Sequence, residues 1–217
     1  MIIYKHDYIL ENCKDKVVLH IGATDFPYHI KRVKTKELLH YKLNKISKKV
    51  VGIDNAIKAI EDLKRFNINN IYYGDIVLNK YEREVLKQKY DIILIPDVLE
   101  HLTNPGLALR NIKKFCNKNI EIIITVPNVW SIFHIKNHFT SKEKVHPDHC
   151  FWPSLLTMSN LIKKSGFRII KRTYALSGAS NNPHGLKGKI FKRIILDKYE
   201  FLGPVLIFKV KLNEDNI

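Results

Sequence analysis

The sequence predicts an α/β fold built on a mostly parallel sheet with helices on both faces. Two observations predict it. Short aliphatic and β-branched runs are apolar throughout, and segments of helical period separate them; strands buried on both faces read this way. The first five runs end on glycine, proline or an acid: Gly22, Asp54, Gly74-Asp75, Pro96-Asp97 and Pro127-Asn128. Parallel sheets bind ligands beyond the carboxyl ends of their strands, so the candidate chemistry falls along one edge.

The elements follow in order. Lys16–Ile21 reads as a buried strand stopped by Gly22. Ile30–Ile46 reads as one long basic helix, and Lys49–Ile53 as a second strand with Asp54 at its tip. Ala56–Phe66 has helical spacing, with Ile57, Ile60 and Leu63 on one face. Ile71–Tyr73 is a short strand and Tyr81–Lys89 a charged helix. Tyr90–Ile95 is an apolar strand bounded by Pro96, and Pro105–Cys116 a helix opened by Asn104-Pro105. Ile120–Val126 is the most apolar strand. Ser154–Lys164 is a helix ended by Gly166, and Phe167–Tyr174 and Val205–Leu212 bring the strands to seven.

With 217 residues, 45% hydrophobic and 27% charged, the chain has material for one domain, residues 1–217, around one core. That balance excludes a wholly disordered chain, a collagen or a disulfide scaffold. No apolar run approaches the roughly 18–20 residues of a membrane span. The opening Met1-Ile-Ile-Tyr-Lys-His-Asp7 puts charge where a signal peptide is apolar, so a cytoplasmic protein is expected. Cys13, Cys116 and Cys150 are scattered and make no zinc knuckle. The net charge of +16 invites a nucleic-acid, anionic-membrane or anionic small-molecule partner. However, 30 lysines stand against only 7 arginines, and the excess of Lys, Ile and Asn follows AT-rich codons. Arginine is the better reader of phosphates and base edges, so charge alone does not assign nucleic acid.

Three segments carry a family resemblance. Tyr90-Asp-Ile-Ile-Leu-Ile-Pro-Asp-Val-Leu-Glu-His-Leu-Thr-Asn-Pro-Gly-Leu-Ala-Leu109 resembles the D-x-L-E-H-L-x-N-P block of the Rossmann-like S-adenosylmethionine-dependent methyltransferases. Ile124-Thr-Val-Pro-Asn-Val129 is the second. His146-Pro-Asp-His-Cys-Phe-Trp-Pro-Ser154, continuing through Thr157, Leu161 and Gly166-Phe167, resembles a block of methyltransferases often associated with sugars and surface glycans. The resemblance spans about Lys16 to Leu212 and implies a seven-stranded sheet whose last strand is antiparallel. It implies S-adenosylmethionine as cofactor, with Gly22 and Ala23 under the methionine part and Asp54 on the ribose. Asp75 and Ile76 would flank the adenine, and Pro96 and Asp97 would line the sulfonium side. The sequence departs from the family's acid-x-Gly-x-Gly-x-Gly: His20 stands for the acid, and Thr24 and Phe26 for the later glycines. Gly22 and Asp54 are 32 residues apart, whereas a dinucleotide site spaces them by roughly 20.

Transfer of a methyl group to a hydroxyl needs orientation of the reactants and a base near neutral pKa. His101 and His149 are the candidate catalytic residues, with His146 beside them. A divalent metal is an alternative: Asp97, Glu100 and His101 share one junction, and His146 or His149 could complete a set for Mg²⁺ or Mn²⁺. That set is similar to the one in metal-assisted RNA 2′-O-methyltransferases, and RNA is therefore the alternative substrate. The leading expectation is O-methylation of a small-molecule or glycan acceptor. A non-catalytic subunit on a methyltransferase fold is the reading from another class. Residues 177–203 read as a lid-like insertion, its loop Ser177–Gly185 flexible by composition. Within it, Leu186–Ile195 forms a basic amphipathic pattern that could contact a membrane peripherally.

Overall fold

The computed structural model describes residues 3–138, 145–178 and 198–213. Helix α1 (Lys5–Cys13) leads into β1 (Val17–Ile21), followed by α2 (His29–Lys34), α3 (Leu39–Ile46) and β2 (Lys49–Asp54). Then come α4 (Ile57–Lys64), β3 (Ile71–Asp75), β4 (Lys80–Tyr81), α5 (Arg83–Leu86) and β5 (Ile92–Pro96). The second half holds α6 (Pro105–Asn111), β6 (Glu121–Pro127), α7 (Ile132–His138), α8 (Leu155–Lys164), β7 (Phe167–Ala175) and β8 (Val205–Leu212).

The strands form one sheet in the order β4-β3-β2-β1-β5-β6-β8-β7. Neighbours among β1, β2, β3, β5 and β6 run parallel, and β8 lies antiparallel between β6 and β7. The last strand is thus antiparallel, as expected. Alternate side chains feed two cores. Leu19, Ile21, Ile93, Ile95 and Ile122 pack with Leu109 of α6 and Met158 and Ile162 of α8. Val18, Ile92, Leu94 and Ile123 pack with Ile9 and Cys13 of α1 and Leu43 of α3. Each such side chain contributes roughly 1.5–3 kcal/mol by leaving water.

Five local expectations are corrected. The sheet has eight strands, not seven. The segment read as a helix over Tyr81–Lys89 begins with β4, which pairs with Gly74 and Asp75. Asp75 turns the chain by accepting from the Val77 and Leu78 amides, both at 2.8 Å, and Tyr81 meets Phe115 edge-on at 4.9 Å. These contacts outweigh helix propensity, and only the short α5 remains. The long helix over Ile30–Ile46 is two helices. Thr35 bonds back to the Lys31 and Arg32 carbonyls, Lys36 adopts φ +59°, and Leu38 turns into the core. In α4, Ile57 is exposed, and Ala59, Ile60 and Leu63 form the buried face. The helix over Pro105–Cys116 stays α-helical only to Asn111 and closes as a 3₁₀ turn over Ile112–Phe115. Two punctuation signals match: Asn104 caps α6 through the Leu107 amide, and Ser154 and Thr157 form a capping box on α8. The basic amphipathic segment Leu186–Ile195 and most of the lid-like insertion lie outside the described residues.

Candidate active site

The carboxyl ends of the parallel strands open into a cavity of about 820 Å³, within the usual range for a small-molecule site. Every residue expected at the site lines it: His20, Gly22 and Ala23 after β1; Asp54 after β2; Asp75 and Ile76 after β3; Pro96 and Asp97 after β5; His101; and His149.

Gly22 sits at φ +73°, and a Cβ there would lie 2.4 Å from Val98 Cγ2. Both facts demand glycine. The loop beyond it is held by side chains. Thr24, at the family's second glycine, donates its amide and hydroxyl to Asp54 Oδ2 at 3.0 and 2.7 Å. Asp25 (φ +59°) forms an ion pair with Arg32, and Phe26 stacks on His29. Burial raises the Asp25 carboxyl, and Arg32 opposes that shift.

Asp54 Oδ1 accepts the Ala56 amide at 3.0 Å. A residue expected to take ribose hydroxyls therefore already has bonds on both oxygens. Asp75 has its Oδ1 committed to the turn amides. Ile76 is buried beside it, and Asn111 anchors its carbonyl at 2.9 Å.

Asp97 has φ +52°, strained for a non-glycine residue. It is held by Thr125, whose hydroxyl donates to Oδ1 at 2.7 Å, and by an ion pair with Lys5 of α1. Burial alone would raise the Asp97 carboxyl, but Lys5 and Thr125 keep it below its ordinary value. Glu100 is buried, its Oε2 has no partner among the described residues, and burial followed by the neighbouring Asp97 pushes its carboxyl well above the usual range. Burial thus favours its protonated form.

The two histidine segments do converge. The Cys150 amide donates to the Glu100 carbonyl at 2.7 Å and clips one to the other. The His101 and His149 rings lie 4.7 Å apart, edge to face, and His146 is 5.6 and 5.3 Å from them. Nitrogens of all three fall within 4.8 Å of one another. Burial, then His146, lowers the pKa of His101; burial, then His101, lowers that of His149. Both are neutral near pH 7 and carry a free lone pair. Among the described residues the expected oxygen-rich set does not assemble, because Lys5 and Thr125 occupy Asp97 and burial favours the protonated form of Glu100. What assembles is all nitrogen, which suits Zn²⁺ or Co²⁺ better than Mg²⁺.

The sequence reading missed α1, which brings Lys5 and His6 to the cavity. Burial, then Lys5, pushes His6 down to about 4. The available signal was the buried pair Ile9 and Cys13, four residues apart on one helical face. Arg32 and His134 also line the cavity without having been anticipated.

The candidate site thus belongs to an α/β protein with a cavity at its strand ends, and sequence comparison makes the class definite. The profile of a methyltransferase-domain family matches residues 30–172, well over half of the chain. The chain belongs to this family, within the Rossmann-like S-adenosylmethionine-dependent methyltransferases. No curated protein matches it. Among solved structures, the small RNA methyltransferase HEN1 is 14% identical with a TM-score of 0.62 over 97% of this chain. That match covers 25% of HEN1, so this chain spans about a quarter of its length. A possible histamine N-methyltransferase from Thermotoga maritima is 12% identical, with a TM-score of 0.62 over 96% of this chain and 87% of the other. The N-methyltransferase NodS from Bradyrhizobium japonicum, in complex with S-adenosyl-L-homocysteine, is 14% identical, with a TM-score of 0.54 over 97% and 86%. These likenesses establish the fold. A nucleoside cofactor fits the residues present, because Gly22, Asp54 and Asp75 line one cavity at the strand ends and, among the described residues, a buried His20 ring nitrogen has no partner. Among the described residues no helix is long and apolar enough to cross a membrane.

Proposed function

We propose that this methyltransferase O-methylates a small-molecule or sugar-like acceptor, with His101 and His149 serving the acceptor. The observation that carries the reading is the pair of neutral imidazoles in the same cavity as the strand-end residues. S-adenosylmethionine, when bound, supplies a methyl group already activated on a sulfonium. Gly22 and Ala23 would support its methionine part, Asp54 its ribose, Asp75 and Ile76 its adenine, and Pro96 and Asp97 the sulfonium side. A ring nitrogen of His101 or His149 takes up the proton of the acceptor hydroxyl, a contribution of roughly 10²–10⁴ in rate. Lys5 keeps Asp97 ionised and in place.

The test is isothermal titration with S-adenosylmethionine and S-adenosylhomocysteine, followed by acceptor screening. Asp54→Ala should bind both ligands much more weakly; undiminished binding would remove Asp54 from the cofactor site.

The three-imidazole cluster favours a second reading, metal-assisted methylation of an RNA 2′-hydroxyl. HEN1, a small RNA methyltransferase of similar fold, supports asking the question. This reading predicts Co²⁺ or Zn²⁺ binding that is lost in His146→Ala, and RNA binding with a steep salt slope. Binding of neither metal nor RNA removes it.

A further inference from the structure

The sheet face that α1 covers changes character beyond that helix. In β8, Val205 and Ile207 pack with Ile9 of α1, and the next two side chains on that face are Lys209 and Lys211. Their cross-strand partners in β7 are Lys171 and Arg168. Like charges thus stand directly opposite each other twice, which destabilises a sheet. Lys16, just before β1, adds a fifth cation. One carboxylate serves three of the five: Glu121 lies 2.8 Å from Lys209, 3.8 Å from Lys16 and 3.9 Å from Lys211. Arg168 and Lys171 are exposed, and among the described residues neither forms an ion pair. A codon bias toward lysine raises the number of lysines without aligning them in register. Glu121 opens β6 and Lys16 precedes β1, so this face lies at the end of the sheet away from the cavity.

An aromatic ring lies among these charges. Tyr8 of α1 is half-buried, and the Lys171 ammonium stands 5.8 Å from its ring centre. Glu11 is the other acid acting there. Cations that track a backbone, combined with a ring on which a base can stack, grip single strands without reading their sequence. The ring favours such a strand over an acidic peptide, whose carboxylates do not stack. A lipid surface calls for a set of apolar anchors, and among the described residues of β7 and β8 Ile170, at the β7 bulge, is the one large apolar side chain exposed.

We propose that this face is a docking surface for single-stranded nucleic acid, with Lys16, Arg168, Lys171, Lys209 and Lys211 on the phosphates and Tyr8 under a base. It meets backbone and base faces, not sugars, so RNA and DNA strands are alike to it. It stands apart from the cavity and does not depend on the acceptor proposed above.

The test is fluorescence anisotropy of the full chain with labelled oligouridylate and oligothymidylate of about 20 nucleotides, between about 50 and 200 mM salt. With about four phosphates neutralised, the slope of log affinity against log salt should be near −2.8, roughly a 50-fold loss over that range. Arg168→Ala with Lys171→Ala should about halve that slope and weaken both strands about tenfold at the lower salt. Lys64→Ala with Lys87→Ala, two exposed lysines elsewhere, should leave the slope as it is. Tyr8→Leu should weaken both strands about fivefold with the slope kept, Tyr8→Phe should bind as wild type, and neither should weaken a duplex of oligouridylate with oligoadenylate. Urea midpoints show whether each variant is folded; should Tyr8→Leu not be, the two charge pairs still decide. No binding of either strand by the wild type, or equal losses in the two charge pairs, overturns the proposal. Tighter binding of phosphatidylglycerol vesicles or of polyglutamate than of either strand overturns it in favour of a lipid or an acidic protein. Binding that appears only when Glu214 and Asp215, which follow β8 in sequence, are replaced by alanine assigns the face to the chain's own acidic residues instead.

Discussion

Replacing Gly22 with alanine tests the cavity floor most directly. Two separable penalties apply. The left-handed backbone at φ +73° costs an L-residue about 1–2 kcal/mol. The new Cβ would lie 2.4 Å from Val98 Cγ2, and overpacking of this kind costs about 1–3 kcal/mol. Val98 is β-branched with a single stiff torsion, so it cannot swing clear as a long side chain would. Gly22→Ala should therefore lower the free energy of unfolding by roughly 2–5 kcal/mol, out of a total of about 5–15 for a protein domain. Urea titration in a four-member cycle with Val98→Ala separates the two terms. In the Val98→Ala background the packing penalty should vanish and the backbone penalty remain, giving a coupling of about 1–3 kcal/mol. Gly22→Ala within about 0.5 kcal/mol of wild type would refute both arguments, and zero coupling would refute the steric one.

Two further predictions concern protons. Glu100 has its folded carboxyl raised by burial, so the native state holds a proton that the unfolded state releases above its ordinary pKa. Stability should be full below that pKa and fall as pH rises toward the folded value, by up to about 1.4 kcal/mol per pH unit. Glu100→Gln should flatten that fall in urea titrations at pH 5 and pH 8; a mutant whose pH slope equals that of wild type would contradict the neutral acid. His101 and His149 have lowered pKa values, so the acid limb of kcat/KM should lie below pH 6.5. The His101→Ala, His149→Ala double variant should lose about 10²–10⁴ in kcat while binding S-adenosylhomocysteine normally; an acid limb above pH 6.5 would count against free neutral imidazoles.

The sheet was legible because fully buried strands leave an unbroken apolar signal. The runs behind β1, β2, β5 and β6 could hardly have been read otherwise. What failed were the places where one side chain decides the backbone. Asp75 turns the chain into a two-residue strand, and Thr35 with Lys36 splits a helix whose apolar spacing continues across the break. The strand-end residues of the site were legible for the same reason as the strands, since topology carries them all to one edge. Lys5 and His6 were not, because α1 enters the site from outside the alternation that announces the fold. The contact of His20 with His40 was beyond sequence altogether, because Gly52, His40 and Asn70 converge on it only in space.

The glycine-poor loop has its own consequence for how the cofactor is gripped. A carboxylate offers about four lone-pair positions. The Thr24 amide, the Thr24 hydroxyl and the Ala56 amide occupy three of them on Asp54. One remains for a ribose diol that has two hydroxyls to donate. Under the ribose role proposed for Asp54, Thr24 rigidifies the loop while competing with the ligand. Thr24→Gly restores the glycine of the family pattern and frees a position on Asp54 Oδ2. It should lower stability by about 1 kcal/mol through lost bonding and added chain entropy. It should also tighten adenosine, methylthioadenosine and S-adenosylhomocysteine by a similar factor, because all three share the ribose. Calorimetric titration of the three ligands decides the matter. Tightening confined to S-adenosylhomocysteine, or no tightening at all, would mean that the ribose is not held by Asp54.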